Sequence, residues 1–232
     1  YAPKTNKLVG AEGLVRWRRE NNEIIPPSKF IPLFERNGMI KALDEYVFRE
    51  VCTHQRRWLD EGKKIVPISI NLSRASLYFE SVVKRYHDIA RRIGIYTHFV
   101  PIEITESAYV ENGSVIKDTE KAFKNVGFKI LIDDFGSGYS SLNVLKDIDL
   151  DVLKIDMKFL SKGKDDGRGE KILAAVIQMA KALDMPVIAE GVEEKKQVQM
   201  LKRLGCNYIQ GYYFAKPMPQ EDYERLARKS HE

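Results

Sequence analysis

The sequence has few of the residues that build disulfide frameworks and soft metal sites. Its 232 residues include two cysteines, Cys52 and Cys206, and four histidines. Two cysteines cannot make a disulfide framework or a cysteine zinc site, and they suit a reducing compartment, so we expect a cytoplasmic protein. Four scattered histidines also argue against a histidine-built metal site. Any chemistry must therefore rest on carboxylates, amides and lysines.

Long apolar runs are absent as well. No run approaches the roughly 18 residues that a membrane helix needs, and no signal peptide opens the chain. Hydrophobic residues at 44% and charged residues at 31% are typical of a soluble globular protein. The formal net charge of +5 suits an anionic ligand. It is too small to indicate binding to a nucleic-acid polymer.

Short β-branched apolar runs alternate with stretches of helical spacing. Strands are predicted at 7–17, 65–70, 98–102, 128–132, 152–155, 185–189 and 207–209, and helices at about 29–37, 44–60, 80–93, 114–126, 169–183, 194–204 and 220–229. This alternation indicates parallel strands that helices cover on both faces. With the first residues of the chain the count reaches about eight strands, which favours a (β/α)8 barrel over a doubly wound open sheet. No linker divides the chain, so one domain over residues 1–232 is expected.

A polar residue closes nearly every apolar run. The residues at the run ends are Asn71, Glu103, Asp133, Asp134, Lys154, Asp156, Glu190 and Gln210, and Glu12 lies in the early strand. In a barrel of parallel strands these ends surround one mouth, which is where barrel active sites lie. One polar strand end has an ordinary explanation, because every strand must end. Six together favour a functional site.

Several acids around one mouth would repel one another unless their pKa values rise or cations bind. Oxygen ligands without His or Cys favour Mg²⁺ or Mn²⁺ over zinc. Two such ions about 3.5–4 Å apart serve in-line displacement at phosphorus. Asp133 and Asp134 could supply a bridging and a terminal carboxylate, Lys154 could hold the attacking water, and Arg16 could bind a phosphate oxygen. The residues alone predict a metal-dependent phosphoester hydrolase.

Two other enzyme classes explain part of the pattern. A barrel glycosidase could use Glu103 and Glu190 as its paired carboxylates, but it would leave Asn71 and Lys154 without a role. Asp134-Phe135-Gly136 is also the metal motif of protein kinases. The glycine-rich loop and the His-Arg-Asp motif of that class are missing, so the kinase interpretation fails.

Seven motifs in order resemble the EAL-domain family of bacterial cyclic di-GMP phosphodiesterases. They are Glu12-Gly13-Leu14-Val15-Arg16-Trp17, Asn71-Leu72-Ser73, Glu103-Ile104-Thr105-Glu106, the stretch 133–142, Leu153-Lys154-Ile155-Asp156, Ala189-Glu190-Gly191-Val192-Glu193 and Gln210-Gly211-Tyr212. The resemblance runs from about residue 7 to residue 219. It implies a variant TIM barrel whose first strand is antiparallel, and hydrolysis of cyclic di-GMP to linear pGpG with two Mg²⁺ or Mn²⁺ ions.

The resemblance also assigns roles to individual residues. Ligands of the first metal would be Glu12, Asn71, Glu103 and Asp133, and ligands of the second would be Asp133, Asp134 and Glu190. Lys154 would contact the attacking water and the scissile phosphate, and Glu190 would be the general base. Glu106 would anchor the loop that follows Asp134. Residues facing the substrate would be Arg16, Asp156, Gln210 and Pro217. The family commonly forms homodimers, and the chain would be part of a longer regulator that could be anchored in a membrane.

Two departures from the family pattern stand out. Gly13 replaces the usual Ala, and because that position carries no ligand we expect a small structural effect. Ala2 stands where Gln is usual near the substrate, and only Thr5-Asn6 separate the first strand from Lys7. Either this hairpin is unusually tight or residues are missing there; we favour the second, since both strands would otherwise be stunted. Ala2 keeps an alternative open, in which the chain is a weak or inactive EAL domain that acts as a cyclic di-GMP receptor.

Overall fold

The structure is a computed structural model that describes residues 1–111, 113–136, 145–146, 149–157 and 167–231. Part of the motif at 133–142, from Ser137 onward, lies outside the described residues. The residues form two compact units. The amino-side unit holds residues 10–104 and 112–129, and the carboxy-side unit holds residues 1–9, 105–111 and 130–232.

The elements of secondary structure alternate along the chain as the sequence pattern predicts. The strands are β1 (Ala11–Gly13), β2 (Trp17–Arg18), β3 (Ile24–Ile25), β4 (Ile68–Asn71), β5 (Ile102–Thr105), β6 (Ile130–Asp133), β7 (Val152–Asp156), β8 (Val187–Glu190) and β9 (Tyr208–Ile209). The helices are α1 (Pro27–Arg36), α2 (Ile40–Asp60), α3 (Arg74–Leu77), α4 (Val82–Ile93), α5 (Glu106–Glu111), α6 (Gly113–Asn125), α7 (Arg168–Ala182), α8 (Lys195–Leu204) and α9 (Gln220–His231). None of the helices in the described part of the chain combines the length and apolarity that crossing a bilayer requires.

Three parallel strands form the sheet of the amino-side unit. They follow the order β1-β4-β5, with Glu12 opposite Ser69 and Asn71 opposite Glu103. Helices α2, α4 and α6 contribute aromatic rings to the core, where Tyr86 lies 4.4 Å from Phe48 and 6.1 Å from Phe123 between ring centroids. This rigid support holds the carboxyl ends of β1, β4 and β5 side by side.

Four parallel strands form the sheet of the carboxy-side unit, in the order β6-β7-β8-β9. Tyr1 exchanges two backbone hydrogen bonds with Ile209, at 2.8 and 2.9 Å, and such an exchange is the pattern of an antiparallel pair. The antiparallel first strand expected from the resemblance is thus present at this position as a single residue pair.

The opening hairpin is tight. Ala2 pairs antiparallel with Lys7, and the N–H of Asn6 donates to the carbonyl of Ala2 at 2.8 Å. Asn6 has a φ of 54°, in the left-handed region that Asn tolerates better than most residues. Four residues thus close the turn, which is the tight hairpin that the sequence analysis named as the alternative.

The predicted early strand, residues 7–17, is also corrected. Only Ala11–Gly13 forms β1, and Trp17–Arg18 pairs antiparallel with Ile24–Ile25 in a separate hairpin. The ring of Trp17 lies 5.7 Å from Phe30 and 5.8 Å from Phe34 between centroids, so it packs on α1. Trp17 thus belongs to a hairpin that packs on α1 and not to the parallel sheet.

Each unit contains one buried free cysteine. Cys52 lies on α2 in the amino-side unit, and Cys206 follows α8 in the carboxy-side unit. Burial raises the pKa of the Cys52 thiol to about 12 and that of the Cys206 thiol to about 11. Both thiols are therefore protonated at neutral pH.

Candidate active site

The amino-side unit brings three predicted ligands to adjacent strand ends. The amide nitrogen of Asn71 donates to the Oε1 atom of Glu12 at 2.7 Å. Asn71 and Glu103 are register partners on β4 and β5, and the N–H of Leu72 donates to the carbonyl of Glu103 at 3.0 Å. Glu103 is 2% exposed whereas Asn71 is exposed, so this half of the site runs from the core to the solvent.

Arg16 lies just beyond this edge. It is exposed, and its guanidinium donates to the carbonyl of Val15 at 2.8 Å. The hairpin that begins at Trp17 fixes the backbone on its far side. Arg16 is thus placed between two anchored segments with its charge in solvent, as a residue that meets an anionic ligand would be.

A buried lysine organises the carboxy-side strand ends. Lys154, in the middle of β7, is 1% exposed, and its Nζ atom lies 2.8 Å from Oε1 of Glu190 and 3.4 Å from Oδ1 of Asp133. A buried ammonium needs such partners because desolvation penalises an unpaired charge. With all three groups ionised, the cluster keeps one net negative charge and can still attract a cation.

The backbone after β6 turns sharply at Asp134. This residue has a φ of 57°, and its N–H donates to Oδ1 of Asp133 at 2.9 Å. The next N–H, of Phe135, donates to the carbonyl of Lys154 at 3.2 Å. A left-handed conformation in a residue other than Gly is uncommon and costs about 1 kcal/mol or more. The turn therefore places the Asp133 and Asp134 carboxylates in a defined arrangement.

Glu106 anchors the segment that follows this turn. Its Oε2 atom accepts the N–H of Gly136 at 2.9 Å, and the residue is 1% exposed. A buried carboxylate that accepts a backbone N–H forms one of the stronger hydrogen bonds in proteins. The predicted anchoring contact is therefore present, while the loop beyond Gly136 lies outside the described residues.

Close backbone approaches hold the ends of β7, β8 and β9 together. Asp156 and Glu190 are register partners, and the N–H of Gln210 donates to the carbonyl of Ala189 at 2.8 Å. The N–H of Val192 donates in turn to the carbonyl of Gln210 at 3.2 Å. Pro217 is exposed beyond this region. Asp156, Glu190 and Gln210 thus share one edge of the carboxy-side unit.

The predicted ligands are not closed into a metal cage. Across the described ranges, no three His, Cys, Asp or Glu side chains are arranged to hold a metal ion. In the carboxy-side unit the ammonium of Lys154 compensates the Asp133 and Glu190 carboxylates directly. The assigned ligand roles therefore stay predictions.

The donor chemistry nevertheless fits a hard divalent cation. Within the amino-side unit, the amide nitrogen of Asn71 points at Glu12, so the amide oxygen is the atom of this side chain that can ligate a cation. Within the carboxy-side unit, Asp133, Asp134 and Glu190 offer carboxylate oxygens. Both sets contain only oxygen donors, as Mg²⁺ and Mn²⁺ prefer.

One buried acid beside these strand ends was missed at the sequence level. Asp44, on α2, is 7% exposed, and burial raises its pKa although hydrogen bonds from Ser73 and Ser76 oppose the shift. The signal was available, because Asp44 lies at helical spacing from Ile40 and Phe48 on the buried stripe of α2.

Comparison with known proteins gives a consistent result. The family model of the EAL domain matches residues 1–217. The chain is 34% identical over 225 residues to the bifunctional diguanylate cyclase/cyclic di-GMP phosphodiesterase MucR of Pseudomonas aeruginosa, covering 95% of this chain and 33% of MucR. It is 35% identical over 217 residues to the cyclic di-GMP phosphodiesterase NbdA of the same organism, covering 94% of this chain and 28% of NbdA. The chain thus spans about a third or less of these relatives.

A solved structure supports the same assignment. The PaMucR phosphodiesterase in its c-di-GMP complex has a TM-score of 0.88 and 34% sequence identity, with 96% of this chain and 90% of that chain covered. The fold class expected from the sequence, an α/β protein of the TIM-like (β/α)8 barrel type, is confirmed by this likeness. The chain belongs to the EAL domain family.

Proposed function

We propose that this chain is a metal-dependent phosphodiesterase that hydrolyses cyclic di-GMP to linear pGpG. Support comes from membership of the EAL family, whose relatives MucR and NbdA are named cyclic di-GMP phosphodiesterases. The observation that carries the proposal is Lys154, which is buried and paired with Asp133 and Glu190. A cation held this firmly at strand ends suits a reaction in which negative charge develops on phosphate oxygens.

The metal ligands are proposed from the family and from the donor chemistry. EAL phosphodiesterases are generally dependent on divalent metal ions. The first ion, Mg²⁺ or Mn²⁺, would be held by Glu12, Asn71, Glu103 and Asp133, and the second by Asp133, Asp134 and Glu190. When bound, such ions neutralise charge on the phosphate and lower the pKa of water.

The residues of the chain supply orientation and proton transfer. Lys154, paired with Glu190 and Asp133, would contact the attacking water and the scissile phosphate through its ammonium N–H groups. Glu190 would accept the proton of that water. The water oxygen forms a bond to phosphorus and one ring P–O bond breaks; the leaving ribose oxygen takes up a proton from solvent, which gives the linear product with a hydroxyl group.

Other residues hold the site and the substrate. Glu106 would keep the Asp133-Asp134 turn in place through its hydrogen bond to Gly136. The side chains proposed to face the substrate are Arg16, Asp156, Gln210 and Pro217. Residues 1–232 are proposed to form one domain. We propose a homodimer and a cytoplasmic location on the same family basis and on the cysteine content, respectively.

The test is to incubate the purified chain with cyclic di-GMP and Mg²⁺ or Mn²⁺, with and without EDTA, and to follow pGpG by chromatography. We expect product only with metal, and loss of product in Asp133→Asn, which removes a carboxylate from both proposed metal sites. Asp222→Asn is the matched control, because Asp222 is a half-exposed acid on α9 paired with Arg225. Tight binding of cyclic di-GMP without product would overturn the proposal and make the chain a receptor.

A further inference from the structure

Asp44 is an acid on the mostly apolar buried stripe of α2. The buried residues of this helix are Ile40, Asp44, Phe48, Cys52, Gln55 and Trp58. A carboxylate at such a position is costly unless its oxygens accept hydrogen bonds. It is therefore kept in the core by specific contacts.

Those contacts go to the segment that directly follows β4. The Oδ2 atom of Asp44 accepts the N–H of Ser73 at 3.0 Å and the hydroxyl of Ser76 at 2.7 Å. Ser73 is the N-cap of the short helix α3, and its hydroxyl accepts the N–H of Ser76 at 3.2 Å. One carboxylate oxygen thus fixes both the first backbone amide and the first turn of this segment.

The two residues that follow Asn71 are anchored to two different elements. The N–H of Leu72 donates to the carbonyl of Glu103, and the N–H of the next residue, Ser73, donates to Asp44. The side chain of Asn71 itself donates to Glu12. Because consecutive amides are anchored to β5 and to α2, the backbone at Asn71 has little freedom to rotate.

We infer that Asp44 is a positioning residue that sets the Asn71 amide for divalent metal binding. This inference rests on the proposed metal site and adds a residue that no motif of the family resemblance includes. Asp44 does not contact the metal; it acts through Ser73 and the backbone at Asn71. Loss of an outer partner of this kind lowers metal affinity by about 10- to 100-fold.

The test measures Mn²⁺ binding to the purified chain without substrate, by calorimetry and by electron paramagnetic resonance. Asp44→Ala should raise the Kd for Mn²⁺ by about 10-fold or more. Asp44→Asn should bind Mn²⁺ with the Kd of the parent, because an amide oxygen can accept the same two hydrogen bonds. Rescue by the Asn variant would show that the acceptor, rather than the charge, is what positions Asn71.

A matched control is available on the same helix. Gln55 is fully buried, and its amide donates to the carbonyls of Val66 at 3.2 Å and Phe99 at 3.0 Å, near the amino ends of β4 and β5. Gln55→Ala also removes two buried hydrogen bonds between α2 and this strand pair. It should lower the stability of the fold as Asp44→Ala does, and leave the Kd for Mn²⁺ unchanged.

The outcomes separate this inference from the proposed function. If the parent chain binds no Mn²⁺, the metal site and the inference both fail. If the parent binds Mn²⁺ and Asp44→Ala binds it equally well, or if Gln55→Ala weakens binding as much, the inference alone fails. Should Asp44→Ala not fold, Ser76→Ala replaces it, with an expected rise in Kd of about threefold for the loss of one hydrogen bond; an unchanged Kd would overturn the inference.

Discussion

Lys154 sets the charge balance at the carboxy-side strand ends. Its ammonium is inside the protein, while the two carboxylates that it contacts are 15% and 16% exposed. The charged form of Lys154 therefore needs Asp133 and Glu190 for its stabilisation more than the charged forms of these carboxylates need Lys154, because each carboxylate keeps some contact with water. This asymmetry leads to a prediction that separates catalysis from metal binding.

Replacing Lys154 with Met keeps the apolar stem and removes the charge. We expect kcat for cyclic di-GMP hydrolysis to fall by about 10²-fold or more, because a preorganised donor is lost. The Kd for Mn²⁺ should stay the same or decrease, since two carboxylates lose a competing cation. Steady-state kinetics and calorimetry measure the two quantities.

Lys181→Met is the lysine control, because the Lys181 ammonium donates to the carbonyl of Leu204 at 3.0 Å, at the end of α8. This variant should leave both kcat and the Kd for Mn²⁺ near the parent values. An equal loss of substrate binding and turnover in Lys154→Met would contradict the role assigned to Lys154.

Gly13, the departure from the family motif, is explained by its neighbour on α2. A Cβ atom at this position would lie 3.0 Å from a γ-methyl of Val51 and 3.4 Å from the carbonyl oxygen of Ser69. The first distance is shorter than ordinary van der Waals contact. Val51 therefore occupies the space that an alanine methyl would need.

Gly13→Ala should lower the free energy of unfolding by about 1 kcal/mol, because overpacking outweighs the smaller gain from a less flexible unfolded chain. In the Val51→Ala background the same change should be neutral or stabilising. Urea unfolding of the four members of this double-mutant cycle measures the coupling. Additive effects would show that the two side chains do not compete for space.

At the scale of elements, the loops after β8 and β9 behave as one piece. A Cβ on Gly211, whose φ is 157°, would lie 2.2 Å from the carbonyl oxygen of Val192, so only glycine allows the two backbones to come this close. Val192 also accepts the N–H of Tyr213 at 3.0 Å. The segment that carries Glu190 and the one that carries Gln210 therefore cannot shift independently.

Gly211→Ala should consequently disturb both loops. We expect a loss of about 3 kcal/mol or more in unfolding free energy, since backbone must move to remove the clash. The KM for cyclic di-GMP should also rise, because Gln210 and Glu190 are displaced. Thermal unfolding and steady-state kinetics test this.

Gly205→Ala is the comparison for Gly211→Ala. Gly205 has a φ of 74°, but the nearest atom to its added Cβ is the flexible end of Lys181. Gly205→Ala should lower the free energy of unfolding by only about 1 to 2 kcal/mol and leave KM unchanged. Equal effects of the two variants would argue against a special role for the contact with Val192.

Element boundaries show what the sequence pattern could predict. Apolar runs identified the buried part of each barrel strand, but β4 and β8 extend through Asn71 and Glu190, because the backbone ladder continues past the last apolar residue. His98 and Phe99 were assigned to a strand, yet residues 97–99 form a 3-10 turn. In that turn Val100 donates to the carbonyl of Thr97, a local contact that an apolar pattern cannot reveal.

Short helices and tertiary anchors were beyond the pattern. Helix α3 has four residues, which is too short for helical spacing to show, and it depends on its cap Ser73 and on Asp44. The strand-end carboxylates were found because their positions repeat along the chain. The position of Asp44 is not part of such a repeated pattern, and its partners become neighbours only once α2 packs against β4.

At the scale of the whole molecule, the motifs identified the family and the fold class without any contact information. Whether residues 1–232 form the proposed single domain depends on the cooperativity of unfolding. The amino-side and carboxy-side units each have their own strands and buried core. A single domain requires that both units unfold together.

The two cysteines allow that requirement to be tested by thiol labelling. A protonated, buried thiol does not react with an alkylating reagent until its surroundings open, so Cys52 reports on one unit and Cys206 on the other. In the single-cysteine variants Cys52→Ser and Cys206→Ser, labelling at pH 8 in increasing urea should give the same opening free energy if the units unfold as one. Mass spectrometry reads the labelled fraction, and two different values would divide the chain into independently opening halves.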